Sequence, residues 1–147
     1  MKLMTQRKGF TLIEILIVVA IIGILASVVL VGLGPTQKRA RDTRRISDLR
    51  NIQTGLELYY NANGKYPAAG TGNTVPRTAL LTVTSNIPHD PSNSTKEYTY
   101  ATDVGQTSYV LEADLEVSGN PAFNDSPSPS PIPGVTCDHI NHYCVQL

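Results

Sequence analysis

The feature that most constrains this chain is a long apolar segment at residues 10–33, which reads FTLIEILIVVAIIGILASVVLVGL. A helix of these 24 residues, rising about 1.5 Å per residue, would be roughly 36 Å long, whereas the hydrocarbon core of a bilayer is about 30 Å thick. The segment therefore predicts a membrane-spanning helix. It is too long for a removable secretory signal, whose apolar region has about 7–15 residues, and it ends in Gly32-Leu33-Gly34-Pro35 rather than in a small-x-small cleavage site.

One acidic residue, Glu14, lies four residues inside this segment. A carboxylate in lipid costs about 2–3 kcal/mol or more near the bilayer centre and less near the interface. A plain membrane anchor would explain the length and the apolarity of the segment, but it would not explain Glu14. We expect such a carboxylate to have a function and a cationic partner. The candidates are Lys8 in the same chain and a free amino terminus at Phe10, created by cleavage and presented by a neighbouring subunit.

The charges of the chain are segregated, although 12 basic and 12 acidic residues sum to zero. Three basic residues lie in residues 1–9, and they predict that the amino end stays in the cytoplasm. Residues 38–50 contain six basic and two acidic residues, which conflicts with the same rule. We expect this second basic segment to be a solvated helix face, available to lipid headgroups or to acidic faces of neighbours. No aromatic residues interleave with its charges, so a nucleic-acid partner is not favoured.

The segment RKGFTLIE at residues 7–14 resembles the amino-terminal signature of type IV prepilins and type II secretion pseudopilins. The shared elements are a short basic leader, Gly9 before the cut, Phe10 after it, and Glu14 as the fifth residue of the mature chain. The resemblance implies that a prepilin peptidase cuts between Gly9 and Phe10 and methylates the new amine of Phe10. It also implies that the apolar helix anchors the subunit in membrane lipid and later packs in the core of a filament of pilin subunits, built at an inner-membrane assembly platform. Glu14, opposite a neighbour's Phe10 amine, would then set the register.

The helical pattern continues past Pro35 as an amphipathic helix. Gly64 in Asn61-Ala62-Asn63-Gly64 is a natural left-handed helix cap, and Pro67 prevents continuation. The sequence therefore predicts one helix over residues 10–61, with the transmembrane or filament-core part at 10–33. Apolar residues at steps of three and four form its stripe: Ile46, Leu49, Ile52, Leu56, and Tyr59 or Tyr60.

The remaining residues, 62–147, are poor in large apolar side chains, so this head should pack on the helix stripe. Alternation predicts strands at residues 98–100 and 109–117, joined by a turn at 103–106 into a hairpin. We expect the odd-numbered residues of the second strand to face the helix and its acidic residues to face solvent. Residues 78–85 fit either a short helical turn or a strand. The predicted fold class is α+β, a long amino-terminal α-helical spine with a small head that contains an antiparallel β-sheet.

The head also resembles those of major pseudopilins and related short pilins at residues 63–67, 87–91 and 98–100. This resemblance implies turns and an extended connection beside the sheet rather than a catalytic site. Major pseudopilins usually carry a carboxy-terminal acidic loop that binds calcium. Here the tail offers only Asp125 and Asp138, so we predict no metal site and no cofactor, and the missing loop favours a surface pilus over secretion.

The tail contains a Ser/Pro-rich segment at residues 126–133, predicted to be a polar linker, and a cysteine loop at residues 137–144. Outside the cytoplasm Cys137 and Cys144 are expected to form a disulfide, as near the carboxy terminus of many pilins. Zinc held by these cysteines with His139 and His142 is the alternative. With His89, these are the chain's three histidines, and their loop positions favour ordinary solvated side chains.

No nucleophile elbow, phosphate-binding loop or zinc-protease signature is present in the sequence, so enzymatic activity is not predicted. The favoured function is a structural subunit of a type IV pilus-like filament. A major pseudopilin of type II secretion, and a membrane-tethered binding module that never polymerises, are the alternatives. The predicted location is the cytoplasmic membrane, with a single pass and the head outside the cytoplasm, followed by an extracellular pilus or a periplasmic pseudopilus.

Overall fold

The computed structural model describes residues 9–138 and 140–147, without the side chains of residues 30–32. Leader residues 1–8, including Lys8, and the candidate zinc ligand His139 lie outside the described residues. The chain divides into two compact units, Met1–Gln37 and Lys38–Leu147. Its elements, in chain order, are α1 (Leu12–Asn63), α2 (Arg77–Leu80), β1 (Thr99–Thr102), β2 (Tyr109–Asp114), a 3-10 helix (Pro121–Asp125) and β3 (His142–Gln146).

The first unit holds the apolar part of α1. The stretch Leu12–Val29 is long and apolar enough to cross a membrane, and none of it is buried within the chain. Large side chains such as Ile13 and Val28 are 64% and 70% exposed. Since exposed apolar area of this extent is unfavourable in water, this segment requires lipid or other protein chains around it.

Helix α1 ends two residues later than predicted, at Asn63, and its capping residue is the one expected. Gly64 has a φ of 71°, and its backbone N–H donates to Tyr60 O at 2.7 Å. A left-handed residue after the last helical turn satisfies a carbonyl group that would otherwise have no partner. Pro35 lies inside α1 and contributes no backbone N–H to it.

The core of the second unit forms where α1 meets the sheet, as the apolar stripe predicts. Leu49, Ile52 and Leu56 are fully buried and pack in one cluster with residues of β1 and β2, including Tyr100 and Leu111. Tyr59 rather than Tyr60 is the last member of the stripe that packs against this cluster. The helical spacing of apolar residues in the sequence therefore predicted correctly which face of α1 is buried.

The sheet is a three-stranded antiparallel meander in the order β1-β2-β3. Tyr100 pairs with Leu111 across the predicted hairpin, and Leu111 pairs with Val145 on the other side. The hairpin turn is organised by the Asp103 carboxylate, which accepts hydrogen bonds from the backbone N–H groups of residues 105, 107 and 108. These bonds, that of Ser108 foremost, lower the pKa of Asp103 to about 2. Strand β3 was not predicted. The ambiguous segment, residues 78–85, begins in the short helix α2, which starts one residue earlier at Arg77.

The expectation that the second face of the sheet meets solvent holds for Asp114, which is exposed, but is wrong for the rest of the face in β1 and β2. Ala101 and Val110 on that face form a second buried cluster with Ile132, Val135 and both cysteines. Glu112, also on this face, is 8% exposed, and it accepts a hydrogen bond from the backbone N–H of Thr136 at 3.0 Å. The tail covers the sheet because its few apolar residues, spaced among serines and prolines, have an apolar surface to bury against. Residues 126–133 therefore pack on the head in part, since Ser126 and Ile132 are buried.

Candidate functional site

The amino end of α1 is closed by Thr11 and Glu14. The backbone N–H and the hydroxyl of Thr11 donate to Glu14 Oε2 at 2.8 Å and 2.6 Å, and the Glu14 N–H faces Thr11 Oγ1 at 3.4 Å. This reciprocal arrangement is a capping box, in which an amino-terminal Thr and a Glu three residues later satisfy the first orphan N–H groups of a helix. The predicted partner of Glu14 was a cation, whereas the pattern Thr-x-x-Glu in the sequence is itself a capping signal.

One carboxylate oxygen of Glu14 is not used by the capping box. Both hydrogen bonds from Thr11 end on Oε2, so among the described residues Oε1 accepts none. Phe10 is 84% exposed beside it, and in the uncut chain its nitrogen belongs to the peptide bond with Gly9. Cleavage after Gly9 would convert that nitrogen into an amine close to the exposed end of the helix.

The second polar centre is a buried arginine, Arg45, whose side chain is 3% exposed. Its guanidinium donates to Asp90 from two nitrogens, at 2.8 Å and 3.1 Å. It also donates to Asp42 at 2.9 Å, one turn away on α1, and to Glu116 at 2.9 Å beyond the end of β2. One residue of α1 is thereby joined to two other parts of the head. Since a buried charge is tolerated only when it is paired and hydrogen-bonded, these partners must be in place together.

The carboxylates of this network have further donors of their own. Asp42 is fully buried and accepts from the backbone N–H groups of Glu116 and Val117 at 2.8 Å and 3.0 Å. Arg41 forms a two-nitrogen pair with Glu116 at 2.7 Å and 2.6 Å. The Arg41 hydrogen bonds are the main reason that the pKa of Glu116 falls to about 2. Burial raises the pKa of Asp90, but the hydrogen bonds from Arg45 and Ser92 outweigh burial and hold it below its usual range.

This network corrects the prediction of a wholly solvated basic face on residues 38–50. Arg41 and Arg45 turn toward the head, whereas Lys38, Arg39, Arg44 and Arg50 are exposed. The sequence distance explains the error, because the partners of Arg45 lie 45 and 71 residues away. Only the local Asp42 pairing was visible in the sequence.

The tail is fastened by a disulfide between Cys137 and Cys144. The Cys144 backbone N–H also donates to the buried Ser126 hydroxyl at 2.8 Å, which connects β3 to the start of the Ser/Pro segment. With both sulfurs in the disulfide, the alternative zinc set loses two of its four candidate ligands in this structure. His142 lies on β3, and the remaining candidate ligand, His139, is outside the described residues.

The two described histidines face carboxylates rather than only solvent. His89 Nδ1 is 3.3 Å from Glu97 Oε1, and Arg77 Nε is 3.3 Å from the same oxygen. His142 lies between Glu112 and Asp114. The expectation of ordinary solvated histidines is therefore wrong for both. The carboxylates beside His142 come from β2, far away in the sequence, whereas Glu97 reaches His89 through the loop that joins them.

The chain is similar to a family model and to several known proteins. The family model described as the prokaryotic N-terminal methylation motif matches residues 4–30. The type II secretion system core protein G of Vibrio cholerae is 30% identical over 134 residues, which are 81% of this chain and 89% of that protein. The protein of the same name from Klebsiella pneumoniae is 35% identical over 86 residues, covering 58% of this chain and 59% of its own length.

A pilus protein is also similar. The type IV wide pilus major component PilA4 of Thermus thermophilus is 46% identical over 63 residues, covering 43% of this chain and 48% of that protein. The matches thus span from about half to about nine-tenths of these relatives' own lengths. No solved structure matches the chain.

Removing the Arg45 guanidinium should destabilise the head strongly. We expect Arg45→Ala to lower the free energy of unfolding by about 3–5 kcal/mol, because Asp42 and Asp90 would be left buried without their cation. Urea unfolding of the full chain in detergent, followed by the near-ultraviolet signal of its tyrosines, measures this. The matched control is Arg44→Ala on the exposed face of the same turn, which should change stability by less than about 0.5 kcal/mol. Equal effects of the two substitutions would contradict the structural role of the network.

The stability of the head should fall in acid through Asp90. Its pKa is lower in the folded chain than in an unfolded one, so its stabilising contribution is complete above about pH 4 and is lost as the pH falls below that value. Asp90→Asn should lower stability at pH 7 and should flatten the decline between about pH 4 and pH 2. Asp125→Asn, on an exposed carboxylate, is the control that should retain the full decline. The urea midpoint measured across this pH range distinguishes the two.

Proposed function

The chain belongs to the family of type IV pilins and type II secretion pseudopilins, and from this membership we propose that it is a structural subunit that polymerises through its amino-terminal helix. The single observation that carries the proposal is the exposed apolar helix Leu12–Val29, which lies within the residues that match the N-terminal methylation motif. The family is structural, and we propose no catalytic activity for this member.

The proposed maturation begins with cleavage between Gly9 and Phe10 by a prepilin peptidase, followed by methylation of the Phe10 amine. Both residues are exposed in the structure, as a processing site requires. Before assembly the helix would hold the subunit in the cytoplasmic membrane, with the head outside the cytoplasm. The inner-membrane assembly platform would then transfer the helix from lipid to the filament core, where residues 10–33 pack against those of other subunits.

We propose that Glu14 sets the register of this packing. Its Oε2 closes its own helix through Thr11, and its Oε1 is available for the Phe10 amine of a neighbouring subunit. A carboxylate held by its own helix end has little side-chain freedom left to lose when the second partner arrives, which favours the intermolecular contact. A buried pair of this kind specifies alignment more reliably than it adds stability.

Two kinds of filament remain as candidates, each with its own support. The match to the Vibrio cholerae core protein G extends over nearly all of that protein and favours a periplasmic pseudopilus of type II secretion. The higher identity to the Thermus thermophilus pilus component, over a shorter segment, favours a surface pilus. The tail with its disulfide and its Ser/Pro segment, in place of an acidic calcium loop, leads us to keep the surface pilus as the first proposal.

Mass spectrometry on filaments sheared from native cells tests the processing and the location together. We expect an abundant chain that begins at methylated Phe10. The same processed chain, confined to the membrane fraction, would favour the pseudopilus. A chain that begins near Met1, or that is cut beyond Leu33, would contradict the proposed function and leave a tethered or secreted domain.

Substitutions at Glu14 and Thr11 separate register from helix capping. Glu14→Ala removes both the cap and the intermolecular acceptor, so we expect filament yield to fall by at least about tenfold. Thr11→Ala removes the capping partner but leaves the carboxylate, and we expect filaments to form at near-normal yield. The yield is measured on sheared filaments, relative to processed subunit in the membrane. Normal assembly of the Glu14→Ala protein would sink the register role. Absence of filaments from the wild-type chain itself would instead support the non-polymerising tethered module.

A further inference from the structure

Three side chains with metal-binding chemistry meet on the tail-covered face of the sheet, away from the features used above. Asp114 on β2 and His142 on β3 are directly opposed in the antiparallel register. Glu112 lies two residues before Asp114 on the same strand, and alternate residues of a strand share a face. The sheet therefore holds an imidazole and two carboxylates on one side at fixed positions.

The distances between these groups suit a shared cation. His142 Nε2 is 3.6 Å from Asp114 Oδ1, and His142 Nδ1 is 3.7 Å from Glu112 Oε1. One ligand atom from each of the three residues lies within 4.8 Å of the other two. Tetrahedral ligands at about 2.0–2.1 Å from zinc are themselves about 3.4 Å apart, and one ion can bind only one of the two ring nitrogens. Coordination therefore requires side-chain rotations that bring one nitrogen of His142 and one oxygen of each carboxylate closer together. The same distances are too long for hydrogen bonds.

A second observation at the same place concerns His142 Nδ1. This ring nitrogen is buried and has no hydrogen-bond partner among the described residues, although it points toward the buried Glu112 carboxylate. Native structures leave few buried polar atoms without a partner, and such an atom in a native fold calls for an explanation such as an ion. Glu112 keeps one fixed donor, the Thr136 N–H on its Oε2, which orients its Oε1 toward the imidazole.

We propose that Glu112, Asp114 and His142 form a binding site for a divalent transition cation of the zinc class. One imidazole with two carboxylates is a donor set that suits borderline cations and leaves a position for water. It is a poor set for calcium, which takes six to eight oxygen ligands. Half-exposed Asp114 and partly exposed His142 give the ion a route from solvent.

The bound ion would act as a clamp between β2 and β3. Strand β3 is the last element of the chain, and the tail that it ends covers the second face of the sheet. A cation joining His142 to β2 would hold the start of β3, while the disulfide holds Cys144 near its middle. Lys96 Nζ lies 2.7 Å from Asp114 Oδ2, so it competes for one oxygen of this carboxylate and leaves Oδ1 facing the imidazole.

The test measures zinc binding by the full chain in detergent, kept oxidised and stripped of metal beforehand. Zn²⁺ should raise the thermal unfolding midpoint, and competition with a chromogenic chelator should give its affinity. His142→Gln should weaken binding by about tenfold or more and remove the rise in midpoint. The matched control is His89→Gln, on the other described histidine that faces a carboxylate, and it should behave as the wild type does.

Several outcomes would overturn the site. Absence of zinc binding to the wild-type chain would do so, as would undiminished binding by the His142→Gln protein. An equal rise in midpoint with Ca²⁺ would indicate an oxygen-only site that does not involve the imidazole. Loss of binding in a His139→Gln protein together with retention in His142→Gln would place the ion elsewhere in the tail. If His142→Gln destabilises the metal-free chain, Asp114→Asn provides the second variant, and it must also weaken zinc binding.

Discussion

The head depends on the burial of one guanidinium. Arg45 is placed where apolar packing alone would exclude it, and its charge is tolerated because carboxylates from α1, from the loop at Asp90 and from the end of β2 all converge on it. The apolar stripe of α1 is tolerant of small shifts, since one leucine can pack in place of another. The ionic network is not tolerant, because a slip of one turn would leave a buried charge without its partners. It therefore specifies how α1 and the sheet fit together within the head.

The same network changes how the charge after the apolar segment should be understood. Six basic residues follow that segment in the sequence, but Arg41 and Arg45 are neutralised internally by the acidic residues that they contact. The exposed cations of residues 38–50 are therefore a smaller set: Lys38, Arg39, Arg44 and Arg50. The conflict between the basic flank and the positive-inside rule is thus weaker in the folded chain than in the sequence.

Local sequence patterns predicted most of the architecture. The features that could not be predicted are those that depend on contacts between residues far apart in the sequence. The stripe of α1, the Gly64 cap and the hairpin turn at Asp103 each follow from residues close in sequence. Strand β3 did not, because His142 to Gln146 offer little alternation and gain their strand character from pairing with β2. The partners of Arg45 and the carboxylates beside His142 belong to the same class, since their approach depends on how the sheet closes. The Thr11–Glu14 capping box is different, because Thr-x-x-Glu is a local pattern and could have been predicted from the sequence, although only a cationic partner was predicted for Glu14.

The position of β3 has a consequence for the order in which the head is completed. The residues that cover the second face of the sheet, including Ile132 and Val135, and the strand that extends it follow β1 and β2 in the sequence and are therefore synthesised after them. Until they emerge, Val110 and Ala101 expose an apolar surface that the finished head conceals. A nascent or prematurely terminated chain would therefore have its apolar amino-terminal helix but would lack the tail residues that cover the second face of the sheet. Such a chain would resemble an aggregation-prone intermediate.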